Sequence, residues 1–196
     1  MRSWDKTART ANWLLLLCVL YLLSAASVLG AESLQEFLNV KPDPAGGVTA
    51  TARVLFPASP EILHALLTDF SHWPDLFEVR MRVVDLQIHH DVVTTDLRIA
   101  HALLPGERRL VTESRATADH EIVTDLVGGD FTRYHRVWKL SPVNEGRETR
   151  AEFELAVAID SIVPDWLVAL ATKRELEAHF RIVKEKARTR AVKPEK

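Results

Sequence analysis

One group of residues with the potential for chemistry lies on a predicted strand whose other inward side chains are apolar. His101 follows Leu97 and Ile99 at alternate positions, and alternate side chains of a strand point to the same side. Burying an unpaired polar group is costly. The imidazole of His101 is therefore expected either to contact the polar end of a ligand or to be a hydrogen-bonded core histidine.

A second group places a cation among aromatic side chains. Tyr134, Arg136 and Trp138 share one face of a later predicted strand. A mostly apolar cavity with a few such polar groups suits an amphiphile, whose chain lies in the dry part and whose head group lies near Arg136 or His101. The alternative is that Arg136 points to solvent after a β-bulge. The hydroxyl residues expected to line the same interior are Thr112, Ser114 and Thr124.

An aromatic cluster follows the first predicted helix, within the sequence VLFPASPEILHALLTDFSHWPDLF of residues 54–77. Phe70 is expected to be a core residue at the open end of the sheet. Trp73 and Phe77 have two interpretations. They either belong to the core, or they contact a ligand or a membrane surface, where the amphipathic ring of tryptophan is favoured.

The sequence lacks the patterns of several other kinds of site. His89 and His90 are adjacent, so that on a strand they point to opposite faces, and no two histidines have the helical spacing of metal ligands. There is no Gly-x-Ser-x-Gly motif and no glycine-rich phosphate-binding loop. The net charge is -2 and basic residues are interleaved with acidic ones. We therefore predict no catalytic residues, no metal, no cofactor and no nucleic-acid partner.

The periodicity of the chain predicts the elements that position these residues. Residues 48–56 alternate and form a strand with one buried side. An apolar stripe at helical spacing predicts a short helix that starts at Pro60. Short connections between about six strands over residues 79–160 indicate antiparallel pairing, with a bulge near Val83. The last apolar stripe predicts a long helix over residues 164–189.

These elements predict an α+β fold. An antiparallel sheet with one buried face must be covered, and the only sizeable cover in the chain is the final helix. We therefore expect a strongly curved antiparallel sheet wrapped around a long C-terminal helix. Phe153 faces inward on the last strand, and Trp166 and Leu170 begin the apolar stripe of the helix.

The first 31 residues are typical of an export signal. Arg2, Lys6 and Arg9 precede the apolar run WLLLLCVLYLL, and small residues follow it. The alternative is an uncleaved membrane anchor, because residues 13–31 are nearly long enough to span a bilayer. We therefore predict a protein that is exported, periplasmic or secreted, or one that residues 13–31 hold at a membrane.

The rest of the chain divides into three parts. Residues 32–47 contain Pro and Gly and are expected to be a linker. Residues 48–189 form the domain, and the charged residues 190–196 are expected to be a disordered tail. The whole chain has 196 residues, of which 47% are hydrophobic, which suits one domain with a sizeable core.

Three segments of the domain carry a resemblance to known proteins: FPASPEILHALLTDFSHWPDLF, GGDFTRYHRVWKLSPV and VPDWLVALATKRELEAHFRIVKEKA. They resemble the START-like or SRPBCC superfamily, whose fold is called helix-grip, and within it the polyketide cyclase and coenzyme-Q-binding branch. The resemblance covers residues 48–188. It implies an apolar ligand between the sheet and the C-terminal helix, no catalysis in most members, and residues 73–77 at the mouth of the pocket.

We therefore predict non-catalytic binding or transport of a hydrophobic, lipid- or quinone-like ligand. The alternatives are a cyclase- or dehydratase-type enzyme acting on a hydrophobic substrate, and a protein-interaction module with no open cavity. The expected partner is a hydrophobic small molecule or a lipid, with contact to a membrane surface. The predicted ligand-binding residues are Trp73, Phe77, Leu97, Ile99, His101, Tyr134, Arg136, Trp138, Phe153, Trp166 and Leu170.

Overall fold

The computed structural model describes residues 35–103, 106–117 and 119–192. The predicted export signal or anchor over residues 1–31 lies outside these ranges, as do residues 193–196 of the predicted tail. Within the described ranges, no helix combines the length and the apolar character that a membrane crossing requires.

Within the described residues, eight strands form one antiparallel sheet with the order β1-β2-β8-β7-β6-β5-β4-β3. Consecutive strands from β3 to β8 pair with one another, and β2 pairs with β8. The strands are β1 Phe37–Pro42, β2 Val48–Phe56, β3 Arg80–His89, β4 Val92–Ala100, β5 Glu107–Ala116, β6 Glu121–Gly129, β7 Phe131–Val143 and β8 Glu148–Ile159.

One α-helix lies between β2 and β3, and the other follows β8. The α-helices are α1 Pro60–Leu67 and α2 Asp165–Val192, and the 3-10 helices are Phe70–Leu76 and Asn144–Gly146. Before α1, Ser59 is extended, and Pro60 takes the first helical position, where its fixed φ suits the helix and its missing N–H costs nothing. The 3-10 helix after α1 carries the aromatic cluster. The long helix α2 packs against β1, β2 and α1.

The core lies between the inward face of the sheet and α2. Trp138 is 1% exposed, and its ring centroid lies 6.2 Å from that of Phe56, 4.7 Å from that of Phe153 and 5.7 Å from that of Phe180. These rings join β2, β7 and β8 to α2, and burying each of them contributes roughly 1.5–3 kcal/mol. The fold is the predicted α+β helix-grip arrangement, with a curved antiparallel sheet on a long C-terminal helix.

One strand lies where a linker was expected. Within residues 32–47, β1 pairs with β2 from Phe37 opposite Arg53 to Pro42 opposite Val48. Leu38 packs against the core, because alternation of its side chains gives β1 one apolar face despite the Pro and Gly residues that follow.

The bulge on β3 and the end of the last helix were also predicted from the sequence. The predicted bulge near Val83 is confirmed as a shift of pairing register between Val83 and Asp85. The final helix was expected to end near residue 189, and it continues to Val192.

Candidate functional site

A cavity of about 220 Å³ lies between the sheet and the first half of α2. Paired positions on β7 and β8 supply one side of its wall, and these pairs are Phe131–Ile159, Tyr134–Val157 and Arg136–Leu155. The next inward pair along the same strands, Trp138 and Phe153, belongs to the solid core. The cavity therefore ends at the level of Arg136 and extends from there toward Phe131.

The wall of this cavity is almost wholly apolar. The other lining residues are Trp73, Phe77, Val79, Met81, Leu97, Ile99, His101, Leu103, Leu110, Val163, Val168, Ala171, Thr172, Glu175 and Leu176. Apart from His101, Tyr134, Arg136, Thr172 and Glu175, every lining residue is apolar. A concave apolar wall with a few polar groups is typical of a site for a small hydrophobic molecule.

Arg136 lies at the inner end of the cavity and is only 6% exposed. Its Nη2 donates a hydrogen bond to Thr124 Oγ1 at 3.2 Å, and its guanidinium carbon lies 4.2 Å from the centroid of the Trp73 ring, in cation–π contact. Burial lowers the pKa of the guanidinium, and the nearby Tyr134 phenol acts in the opposite direction. Since arginine keeps its proton in proteins, a cation is held at the end of an apolar cavity.

A row of buried hydroxyl groups crosses β4, β5 and β6 beside the cavity. Thr95 Oγ1 lies 2.8 Å from Thr112 Oγ1, and Ser114 Oγ lies 2.9 Å from Thr124 Oγ1. Thr112, Ser114 and Thr124 were expected to line the interior, but none of them is among the lining residues. Thr112 bonds to Thr95 and Ser114 bonds to Thr124, and Thr124 also accepts the hydrogen bond from Arg136.

The aromatic cluster forms another part of the wall. Trp73 is 3% exposed, and its Nε1 donates a hydrogen bond to the carbonyl of Leu67 at 2.9 Å. The ring is thus part of the core and of the cavity wall at once, whereas Phe70 belongs to the core alone. Phe77 is half-buried, lines the cavity and stacks on the His179 imidazole, with centroids 4.3 Å apart and planes 8° apart.

His179 lies on α2 behind Phe77 and is 2% exposed. Its Nδ1 donates a hydrogen bond to the carbonyl of Leu76 at 2.8 Å, which fixes the proton on that nitrogen. Burial lowers its pKa to about 4, with the charge of Arg136 acting in the same direction and the bond to Leu76 against it. The imidazole is therefore neutral near pH 7 and adds no charge to the inner end of the cavity.

A second polar pair lines the cavity farther from the core. His101 Nδ1 accepts a hydrogen bond from the backbone N–H of Leu103 at 3.1 Å, so the neutral ring carries its proton on Nε2. That nitrogen lies 3.9 Å from Glu175 Oε1, which is too long for a direct hydrogen bond. Oε2 of Glu175 is buried and has no hydrogen-bond partner among the described residues. An acid–base pair with unused bonding capacity therefore faces the cavity.

Charged side chains elsewhere pair on the outer surface of the sheet. Arg109 Nη2 lies 2.8 Å from Asp96 Oδ2, and Arg82 Nη2 lies 2.9 Å from Glu107 Oε2. Each arginine holds the pKa of its partner carboxyl below its usual value, although exposed pairs contribute little to stability. In the part of the chain that the structure describes, no three histidine, cysteine or carboxylate side chains form a group that could hold a metal ion.

Residues 47–188 match a protein family described as polyketide cyclase / dehydrase and lipid transport. The chain belongs to this family. The match spans every strand from β2 to β8 and most of α2, so it includes all the elements that line the cavity. No curated protein matches the chain.

Solved structures share the fold of this polyketide cyclase / dehydrase and lipid transport domain at low sequence identity. A START superfamily protein from Mycobacterium smegmatis is 19% identical, with a TM-score of 0.58 over 72% of this chain and 97% of that one. A STAR-related lipid transfer protein from Xanthomonas axonopodis is 11% identical, with a TM-score of 0.59 over 77% and 92%. The Zhui aromatase/cyclase from Streptomyces sp. R1128 is 10% identical, with a TM-score of 0.55 over 81% and 98%. At these identities, the similarity shows the fold.

The cavity of this lipid transport and cyclase family member gathers most of the predicted ligand-binding residues. Those that line it are Trp73, Phe77, Leu97, Ile99, His101, Tyr134 and Arg136. Trp138 and Phe153 do not line it, because they fill the core next to its inner end. Trp166 and Leu170 do not line it either, and they are 65% and 43% exposed.

The rotation of α2 explains why Trp166 and Leu170 lie outside the cavity. A helix turns by about 100° per residue, so Leu170 points about 160° and Trp166 about 120° away from Thr172, which lines the cavity. The face that meets the cavity carries Val168, Thr172 and Glu175 instead. Glu175 was not predicted as a site residue because a charged side chain was not expected on an inward face, although it lies two helical turns after Val168 and therefore on the same face.

Proposed function

We propose that the protein binds a hydrophobic small molecule, lipid- or quinone-like, in the cavity beneath α2 and carries it without converting it. The observation that supports this proposal is the cavity of about 220 Å³ with its nearly apolar wall. At about 24 cal/mol per Å³, leaving that volume empty would cost up to about 5 kcal/mol. This is a large part of the stability of a domain, about 5–15 kcal/mol, and a bound ligand removes that cost.

The test is to extract the purified full-length protein with organic solvent and to identify the released compounds by mass spectrometry. We expect one apolar compound in near-stoichiometric amount. The variant Ala171→Trp places a large ring in the cavity and is expected to release none, whereas Leu170→Trp changes the neighbouring, exposed position and is expected to release the same amount as the wild type. Equal release from both variants would show that the compound is not held in the cavity.

A second candidate is a cyclase- or dehydratase-type enzyme acting on a hydrophobic substrate. The observation that favours it is the pair formed by His101 and Glu175, two side chains capable of general acid–base catalysis 3.9 Å apart on the cavity wall. The same extraction distinguishes the candidates. A carrier yields the same compound from the wild type, His101→Gln and Glu175→Gln, whereas an enzyme yields a precursor that accumulates in the variants.

We also propose that the protein is exported and meets its ligand at a membrane surface. Export is supported by the sequence of residues 1–31 alone, and the alternative is an anchor over residues 13–31. N-terminal sequencing of the protein recovered from the periplasm or medium tests it. Membrane contact is supported by the exposed apolar side chains of Ile162 and Trp166 beside Val163, which lines the cavity.

A further inference from the structure

Arg136 makes fewer hydrogen bonds than its burial demands. A guanidinium carries five N–H donors, and within the described residues the acceptors that Arg136 meets are two hydroxyl oxygens, Thr124 Oγ1 and the phenol oxygen of Tyr134. Its Nε is buried and has no partner in the same part of the chain. Burying an unpaired charge costs far more than burying a paired one. The inner end of the cavity therefore lacks a negative charge.

The groups around Arg136 do not supply that charge. Tyr134 offers a phenol and no carboxylate, and the buried imidazole of His179, with its pKa of about 4, is neutral near pH 7. Glu175 lines the same cavity, but its carboxylate lies beside His101, with Oε1 3.9 Å from Nε2 of that imidazole. Arg133, on the same strand, has a carboxylate partner, because its Nη2 lies 3.0 Å from Asp43 Oδ2, although its own Nε is also buried without a partner among the described residues.

The two polar groups of the cavity also fix the orientation of an anionic ligand. Arg136 stands at the inner end, beside the core ring of Trp138, whereas Glu175 stands beside His101, which follows the end of β4. An anion is attracted to the first position and repelled from the second. The wall on both sides is apolar, which suits a hydrocarbon chain or ring.

We propose that the ligand is an amphiphile with a single carboxylate, which binds head first and pairs with Arg136 while its apolar part extends toward Phe131. A carboxylate matches the guanidinium fork with two parallel N–H···O bonds. A doubly charged phosphate would leave its second charge buried without a cation. This inference rests on the proposed function, because it requires a ligand in the cavity.

The test compares ligands that differ only in the head group. The full-length protein is freed of bound compounds, loaded with the neutral dye Nile red, and titrated near pH 7.5 with decanoic acid, decanol or decyl phosphate. We expect decanoic acid to displace the dye at a concentration at least about tenfold lower than either of the others, since a hydrogen bond to a charged group is worth that much or more. A parallel titration with 2-naphthoic acid, compared with decanoic acid, tells whether the cavity prefers a carboxylate on an aliphatic chain or on an aromatic ring.

Two arginine variants separate the site from the overall charge. Arg136→Met keeps the length of the side chain and removes its charge, and it is expected to abolish the preference for the acid over decanol. Arg98→Met removes the same charge from the opposite face of β4 and is expected to keep the preference. If the wild type binds acid and alcohol equally, or if Arg136→Met keeps the preference, the inference is wrong and the proposed function stands. If neither the dye nor any of the ligands binds, both are wrong.

A measurement on the wild type alone covers the case in which Arg136→Met does not fold. Decanoic acid labelled with ¹³C at the carboxyl carbon reports its own titration by NMR. We expect the bound carboxylate to titrate at a lower pH than the free acid, because the guanidinium stabilises its charged form. A bound acid that titrates at a higher pH than the free one would place the head group in the apolar part of the cavity and overturn the proposal.

Discussion

The guanidinium of Arg136 lies over the indole of Trp73, with 4.2 Å between the guanidinium carbon and the ring centroid. The same indole donates its N–H to the carbonyl of Leu67, the last residue of α1. One side chain therefore connects the end of α1, the 3-10 helix and the charged inner end of the cavity. The cation is held in place by tertiary packing that exists only in the folded domain.

Replacing Trp73 by phenylalanine should destabilise the domain. Trp73→Phe removes the indole N–H, so the buried carbonyl of Leu67 loses this hydrogen bond. We therefore expect the free energy of unfolding to fall by about 1–3 kcal/mol. Urea denaturation measures the change. Trp166→Phe is the control, because Trp166 is 65% exposed and its replacement should alter stability by no more than about 0.5 kcal/mol. Similar losses in both variants would contradict the role assigned to Trp73.

The buried His179 should make stability fall as the pH is lowered below 6.5. Its pKa is about 4 in the folded state and about 6.5 otherwise, so between these values the unfolded chain binds a proton that the folded protein does not. The contribution is fully present above pH 6.5 and is lost as the pH falls to about 4, by up to about 3 kcal/mol.

The comparison that isolates this effect is His179→Gln, which keeps an N–H for the carbonyl of Leu76 and cannot titrate. The difference in unfolding free energy between wild type and variant, measured by urea denaturation, should change by up to about 3 kcal/mol between pH 6.5 and pH 4. His89→Gln at an exposed position controls for the substitution itself. Parallel curves for the wild type and His179→Gln would show that the buried imidazole does not cause the pH dependence.

The turn before β7 should not tolerate a side chain at Gly129. Gly129 has φ +104°, and a Cβ there would lie 2.3 Å from the carbonyl oxygen of Arg109. Gly146 has φ +79° but no atom of the described residues within 4 Å of such a Cβ. We expect Gly146→Ala to cost about 1–2 kcal/mol from backbone strain and Gly129→Ala about 1–3 kcal/mol more from overlap. Thermal unfolding of both variants tests the order, which a reversed ranking would refute.

The exposed apolar surface at the start of α2 should speed the uptake of ligand from membranes. Trp166→Ser removes an exposed ring near the cavity, and we expect slower transfer of a fluorescent apolar ligand from phospholipid vesicles, with its equilibrium affinity unchanged. Ile88→Ser is the matched control, because Ile88 is 68% exposed on β3. A transfer rate equal in Trp166→Ser and wild type would argue against contact at this surface.

The strand faces that carry the site were predictable because alternation is a local property. His101, directly after β4, and Arg136, on β7, point inward as the alternation of these strands indicates. A register shift of the kind that would have turned Arg136 outward does occur on β7, but it lies between Phe131 and Arg133, before Tyr134 and Arg136. The sequence alone did not locate that shift, so the orientation of Arg136 had two interpretations until the structure was known.

The helical part of the site was less predictable because it depends on how α2 is rotated against the sheet. Trp166 and Leu170 are apolar and exposed, whereas Glu175 is charged and lines the cavity. The polarity of these side chains alone would place Trp166 and Leu170 in the interior and Glu175 in solvent. Rotation is set by the aromatic contacts of Phe180 with Trp138 and Phe153 far along the chain, and periodicity within the helix does not report on them.

The two halves of α2 have separate duties, with consequences for the evolution and engineering of the domain. Phe180, Val183 and Ala187 in the second half are buried in the core, while Val168 and Thr172 in the first half line the cavity. Substitutions in the first three turns of α2 can therefore change the shape of the cavity, while the buried second half of the helix keeps the fold stable. A few substitutions in this short segment of the helix can therefore change which ligand the domain binds.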